Sequence, residues 1–293
     1  MSTNTRVRLQ LTFGFLVVVS FIIWLGFYSE TRADTTKANL KIHFLNVGQG
    51  DSTYIKLPNK KDILIDGGPD NKVLTELGKV MDLGDRKIDL VILTHPHTDH
   101  LDGLIEVIKR YEVGEIWETK VQYPSKTYES WQKIVREKGI KDKEGIKGVE
   151  QNFDGIKFSV LFPISSLENK TIDNLNNASI VNRLEYNQFS ALFLGDAEKS
   201  SQTEIMDQAK FTTVVKTAHH GSKNGINEDF LKIIRPVIAV ISVGRDNSYG
   251  HPHKEALAFF NSLASQIFRT DQDSTVQVAS DGQTWQAKTQ LGY

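Results

Sequence analysis

The chain opens on a nearly uninterrupted apolar run. Residues 11–28, LTFGFLVVVSFIIWLGFY, carry no charge, with Arg6 and Arg8 before them and Glu30 and Arg32 after. At about 1.5 Å per residue the run spans roughly 27 Å, close to the hydrocarbon thickness of a bilayer. It is therefore expected to be a membrane-targeting helix, either an uncleaved transmembrane anchor or a signal segment. Signal peptides have shorter apolar stretches, about 7–15 residues, ending at a small-residue cleavage site. TRAD at 31–34 is a mediocre site of that kind, so the anchor is preferred. The arginines ahead of the run place residues from 34 onward outside the cytoplasm, at the cell membrane or secreted if the segment is cleaved. The expected organisation is a membrane segment over 1–33 and one enzyme-sized globular domain over 34–293.

From residue 40 the pattern shortens to strand lengths. LKIHFLN (40–46), STYIKL (52–57) and DILID (62–66) alternate or run apolar, broken by VGQGD and GGPD, and predict consecutive strands. NKVLTELGKVMDLG has helical spacing at Val73, Leu77 and Val80, and IDLVILT (88–94) returns as a continuous apolar run, the pattern of a strand buried on both faces. KFSVLF, SIVNRLEY, FSALFLG, TTVVKTA and VIAVISVG predict further strands. EKSSQTEIMDQA, NEDFLKII and HKEALAFFNSLA predict helices, and three more strands are expected near 266–270, 275–279 and 284–288. The sum is a mixed α/β domain with helix-covered sheet layers. The lysine-rich stretch 132–148 reads as a solvated helix face and loop because its charges are mixed.

Composition narrows the chemistry. The chain has no cysteine, which excludes disulfides, thiolate metal sites and a cysteine nucleophile. Arg6, Arg8 and Arg32 against Glu30 precede residue 34, leaving 32 basic and 35 acidic residues in 34–293. That mildly acidic balance argues against the broadly basic surface of a general nucleic-acid binder.

Within this background THPHTDHLDG (94–103) gathers three of the chain's eight histidines and an aspartate into six positions, directly after a buried strand. Functional groups of α/β sheets collect beyond the carboxyl ends of strands. His95, His97, Asp99 and His100 are expected on the loop leading into a helix at 101–110, where alternate side chains can serve two adjacent cation sites. Asp66, Asp196, His219 and His220 end other predicted strands, and His251 and His253 follow one in YGHPH.

These blocks carry a resemblance. HxHxDH after a strand, an upstream strand-ending Asp, a downstream Gly-Asp and a later strand-ending His resemble the metallo-β-lactamase fold superfamily of binuclear metallohydrolases. FLNVGQGDS, LIDGGP, LTHPHTDHLDGL, FLGDAE, KTAHHGS and ISVGRDNSYGHPH are similar, in order and wording, to the metallohydrolase domain of ComEC-type competence DNA-uptake proteins. The resemblance covers 40–293 and does not extend to the multi-helix channel of those proteins. It implies a four-layer αββα fold and two divalent cations, zinc or manganese, both of which suit an all nitrogen and oxygen ligand set. His95 and His97 would hold one cation, Asp99 and His100 the other, with Asp196 bridging and either His219 or His220 completing the second site. Most superfamily members supply another histidine between HxHxDH and the Gly-Asp, but no histidine lies between His100 and His219. There the sequence reads NLNNASIVNRLEY, so Asn177 or Ser179 is expected near the first cation, which should be held more weakly. Asp66 is expected to orient a ligand histidine.

Paired cations acidify a shared water and suit in-line displacement at phosphorus. The first expectation is therefore a phosphodiesterase or nuclease, with Asp99 both ligand and part of the catalytic set and His251 or His253 contacting substrate or donating a proton. An amide or ester hydrolase of β-lactamase type and a catalytically weak, membrane-tethered DNA-binding module stay open. DNA, a nucleotide, a phosphorylcholine-like substituent and a lipid headgroup are all open as substrate. His43, alternating with Ile42 and Phe44, reads as a packing or surface residue.

Overall fold

The computed structural model describes residues 40–291. The run at 11–28, and with it the expected membrane segment, lies outside them; among the described residues no helix is long and apolar enough to cross a membrane.

The first five strands are β1 (Leu40–Phe44), β2 (Thr53–Lys56), β3 (Asp62–Ile65), β4 (Lys87–Leu93) and β5 (Glu112–Glu118). They are followed by β6 (Lys141–Glu144), β7 (Glu150–Phe153), β8 (Ile156–Phe162), β9 (Val181–Tyr186) and β10 (Phe189–Phe193). The last are β11 (Val214–Lys216), β12 (Ile238–Ile241), β13 (Gln266–Arg269), β14 (Val276–Ser280) and β15 (Trp285–Thr289). They form an eight-stranded sheet of order β15-β14-β1-β2-β3-β4-β5-β6 and a seven-stranded sheet of order β13-β12-β11-β10-β9-β8-β7. The helices are α1 (Lys72–Val80), α2 (Thr98–Arg110), α3 (Lys126–Lys138), α4 (Lys199–Glu204), α5 (Glu228–Ile234), α6 (Lys254–Ser262) and α7 (Thr270–Asp273).

Three apolar layers hold the elements. Ile42, Phe44, Ile63 and Ile65 of the first sheet meet Phe158, Leu184, Phe193 and Val240 of the second. The outer face of the first sheet packs Leu64, Val91 and Leu93 against Leu77 of α1, Leu104 of α2 and Trp131 of α3. The outer face of the second packs Leu192 and Val215 against Phe230 of α5 and Phe260 of α6. The result is two sheets flanked by helices. It explains the apolar run LVIL, because Leu90 and Ile92 face the inter-sheet core while Val91 and Leu93 face the helices, so neither face of β4 meets water from Leu90 to Leu93.

Two readings differ in detail. The helix expected at 101–110 begins at Thr98 instead, so Asp99 and His100 stand in its first turn rather than on a loop. The lysine-rich stretch is helical to Lys138, but KDKE then forms β6, a parallel strand on the edge of the first sheet. Charged residues suit an edge, where they deter pairing with another chain, and they erase the apolar signal by which a strand is found in sequence.

Candidate metal centre

Asp66, His95, Asp196 and the His219–His220 turn follow the carboxyl ends of β3, β4, β10 and β11. β3 and β4 run parallel, as do β10, β11 and β12, so these ends collect on one side of the molecule. Asp66 follows β3 in a left-handed conformation, φ 58°. Its carboxylate accepts from the Thr94 amide and the Thr94 hydroxyl at 2.8 Å each, and lies 2.8 Å from His100 Nδ1. The same turn admits α2 at backbone contact: a Cβ on Gly103 would stand 1.9 Å from the Gly67 carbonyl oxygen, so both "DGG" and "LDGL" must be small here.

Asp66 fixes His100 through Nδ1, which leaves the buried Nε2 free toward Asp196. Nε2 lies 3.4 Å from Asp196 Oδ1, and neither atom has a hydrogen-bond partner. The other oxygen of Asp196, Oδ2, is 3.6 Å from His220 Nε2, which is itself 3.1 Å from Asp99 Oδ2. One ligand atom from each of Asp99, His100, Asp196 and His220 lies within 4.8 Å of the others. His95 Nε2 and His97 Nδ1 approach to 3.0 Å beside this group, with the His95 and His100 rings 4.2 Å apart. His95 Nδ1 lies 3.2 Å from both the Thr94 and the Ser179 hydroxyls, and Ser179 Oγ also accepts from the Asp196 amide at 3.1 Å.

His219 and His220 are not on a strand, so alternation does not choose between them. Both are left-handed, φ 49° and 53°. The turn buries His220, its Nδ1 3.0 Å from the Ser242 carbonyl and 3.2 Å from Asp51 Oδ1. His219 is partly exposed, with Nε2 3.8 Å from Asp196 Oδ2 and Nδ1 3.3 Å from Glu198. His220 is therefore the one that joins the group of four.

Asn177 does not face the cluster. Its Oδ1 accepts from the Glu198 amide at 3.3 Å and the Ser201 hydroxyl at 2.9 Å, holding the start of α4. Asn176 faces the cleft instead, with a buried Oδ1 that has no partner. His251 also lines the cleft, whereas His253 Nδ1 accepts from the Lys223 amide at 3.1 Å and secures the loop.

Sequence reasoning missed Asp51 and Lys216. They form a buried ion pair beneath His220, and the Asp51 amide donates to the Asp99 carbonyl at 3.1 Å. A Cβ on Gly50 would fall 2.2 Å from that carbonyl, so the VGQGD turn clamps the first turn of α2. The available signals were a lone lysine inside the apolar strand TTVVKTA and an aspartate closing a glycine turn.

The electrostatics fit cations. Burial works to raise the Asp196 carboxyl, yet His220 and His100 hold it well below the usual carboxylate range. Burial likewise works against charging His220, but Asp196 and Asp51 raise it to about 10; His100 is raised well above its ordinary value against burial by Asp196, Asp66 and Asp99. Burial lowers His95 and His97. With the imidazoles neutral, the carboxylates of Asp51, Asp66, Asp99 and Asp196 face the single charge of Lys216, an excess of negative charge that divalent cations would neutralise. Asp51, Asp66 and His100 also lie close enough to hold an ion. Asp51 is committed to Lys216 and Asp66 to Thr94 and His100, so that trio supports the centre rather than forming another.

The model of the metallo-beta-lactamase superfamily matches residues 45–245, a span that contains both imidazole groups and Asp196. The chain belongs to that superfamily. Among curated relatives it is 24% identical over 258 residues to Competence protein ComA of Neisseria gonorrhoeae, covering 86% of this chain and 34% of that protein. It is 27% identical over 289 residues to ComE operon protein 3 of Bacillus subtilis, covering 92% of this chain and 36% of that protein. It is 26% identical over 281 residues to Recombination protein 2 of Haemophilus influenzae, covering 94% of this chain and 32% of that one. The chain thus spans about a third of the length of these relatives. Among solved structures it shares the fold of the metallo-beta-lactamase fold protein YhfI from Bacillus subtilis, with TM-score 0.54, 14% identity and coverage of 78% and 96% of the two chains. It also shares that of CmlA, a diiron beta-hydroxylase from Streptomyces venezuelae, with TM-score 0.53, 13% identity and coverage of 79% and 53%. Superfamily members are in general metal-dependent hydrolases that bind metal ions, often two, but a fold shared with a hydroxylase does not fix the reaction.

Proposed function

We propose that the chain is a binuclear metal-dependent phosphodiesterase or nuclease acting outside the cytoplasm. The observation that carries the reading is the convergence of Asp196 with His100 and His220, Oδ1 toward the first and Oδ2 toward the second, beside the His95–His97 pair, whose His95 ring lies 4.2 Å from the His100 ring. His95, His97 and a share of Asp196 would hold one cation; Asp99, His100, His220 and the other share would hold the second. Zinc or manganese there would supply Lewis acidity and an acidified water, with one ion for the attacking and one for the leaving oxygen of a phosphoryl displacement.

The chain's own residues do the rest. Asp66 fixes which His100 nitrogen faces the site, and the Ser242 carbonyl does the same for His220. Burial, then His220 and His219, lower His251 to about 4, so it is neutral at physiological pH. It serves as a hydrogen-bonding contact to a phosphoryl oxygen rather than as a proton donor. Tyr123 stands edge-on to His97 at 6.2 Å and Tyr249 is stacked on His251 at 5.8 Å. Both line the cleft and offer faces to an organic group of a diester, a nucleotide base included. The names Recombination protein 2 and Competence protein ComA, carried by two relatives, support DNA as the substrate. The run at 11–28 supports membrane attachment or secretion.

A catalytically weak DNA-binding module draws support from the missing third imidazole beside His95 and His97. The test is hydrolysis of DNA and a small phosphodiester, against a chromogenic β-lactam, at equal protein and metal. Metal-dependent diester cleavage that His97→Ala removes supports the proposal; β-lactam turnover alone, or DNA binding without cleavage, overturns it.

A further inference from the structure

A second polar cavity, of about 390 Å³, opens on the first sheet and shares no lining residue with the metal cleft. It is larger than the cleft, which measures about 280 Å³. Strand alternation turns Lys41 and His43 away from the inter-sheet core to which Leu40, Ile42 and Phe44 belong. In register, His43 stands between Tyr54 and Gln277, and Gln277 stands opposite Lys288. Lys41 stands directly opposite Lys56, an arrangement in which like charges repel.

The charges around the cavity are incompletely balanced. Lys56 meets Asp82 at 2.5 Å and Lys79 meets Glu76 at 2.6 Å. Among the described residues Lys41 and Lys288 form no ion pair with an acidic group. His43 also lines the cavity; it is 6% exposed, and its Nε2 has no hydrogen-bond partner. Burial chiefly, with Lys41, Lys288 and Lys56 adding to it, pushes its pKa down to about 4, so the imidazole is neutral. Lys288 lies on edge strand β15, where a lysine deters sheet extension. Edge protection explains neither the opposed Lys41 and Lys56 nor a buried imidazole nitrogen left without a partner.

We propose that this cavity is an anion site for a phosphate group carried by a small molecule, bound by Lys41, Lys56 and Lys288 with His43 beneath. Lys41 and Lys288 supply two uncommitted ammonium groups, Lys56 a third shared with Asp82, and His43 an imidazole nitrogen, the donors that a tetrahedral oxyanion requires. The concave shape, walled by Val80 and Asp82, suits a compact ligand better than the extended basic stripe by which nucleic-acid backbones are followed.

The test is a titration of the chelator-treated full chain with inorganic pyrophosphate at constant ionic strength, followed through the His43 imidazole resonances in two-dimensional NMR. Chelation removes the cations through which phosphate would bind the other cleft, and His43 reports on this cavity. A saturable shift below millimolar concentration is expected, weakened about tenfold or more in Lys41→Glu/Lys288→Glu. Because both lysines are exposed, that variant should fold, and its unchanged metal content would confirm that it does. A mononucleotide that shifts His43 as pyrophosphate does would show that the phosphate group is the recognised element. Unmoved His43 resonances, equal binding by the variant, or a response only to vesicles of anionic phospholipid would each overturn the proposal.

Discussion

The two halves of the metal centre are supported by different chemistry. Around Asp99, His100, Asp196 and His220, the far side of each imidazole meets a carboxylate or carbonyl: Asp66 behind His100, Ser242 and Asp51 behind His220. Around His95 and His97, the Nδ1 of His95 meets only the hydroxyls of Thr94 and Ser179, and His219, which shares their cleft, is partly exposed with its Nδ1 turned to Glu198. Charged acceptors orient an imidazole and strengthen it as a ligand; hydroxyls orient it with less gain in basicity. In the proposed centre one half would therefore bind a cation tightly and the other more weakly and exchangeably, with Asp196 shared between them.

Removing that join should have the largest effect. Asp196→Asn is expected to lower both metal content and diester hydrolysis, the latter by about 10³-fold or more, since several kcal/mol of charge stabilisation is lost at once. Elemental analysis beside a rate assay checks it; His97→Ala, by contrast, should leave about one ion per chain. Asp66→Asn comes next. It should weaken the carboxylate-rich half-site by about 10–100-fold in cation affinity while the His95–His97 half changes little.

Acidity should separate the halves as well. His220 is raised to about 10 and His100 well above its ordinary value, so both are protonated in the cation-free protein at neutral pH. A cation entering there must displace protons. Its apparent affinity should climb with pH between 6 and 9, by up to about tenfold per unit for each proton released. His95 and His97 are lowered and already neutral, so the affinity of their half should stay nearly level. Calorimetric cation titrations in buffers of different ionisation enthalpy would count the protons.

The smallest effect expected is a gain. Asn176→His should tighten the weaker half by up to about tenfold, because Asn176 faces the cleft with an unpartnered Oδ1. Asn177→His should not, since that side chain holds the start of α4. Cation titration of the two variants side by side would distinguish them.

The same contrast governs what could be read from the sequence. Apolar alternation located most strands, and the ligand-type residues announced themselves at strand ends because burial leaves few other polar groups there. Asp51 and Lys216 escaped because an ion pair between residues 165 apart has no local period. Asn176 was passed over for Asn177 because the choice turns on a single-turn 3₁₀ helix, Leu175–Ala178, whose orientation no hydrophobic pattern fixes. KDKE escaped because an edge strand needs no apolar face.

The most direct test is a stepwise manganese titration of the chelated full chain at pH 8, counting bound ions while following hydrolysis of a small phosphodiester. Two separated binding steps are expected, with activity appearing in the second, weaker step, and with His97→Ala abolishing that step alone. Two ions bound with equal affinity, or full activity with one ion bound, would contradict the account.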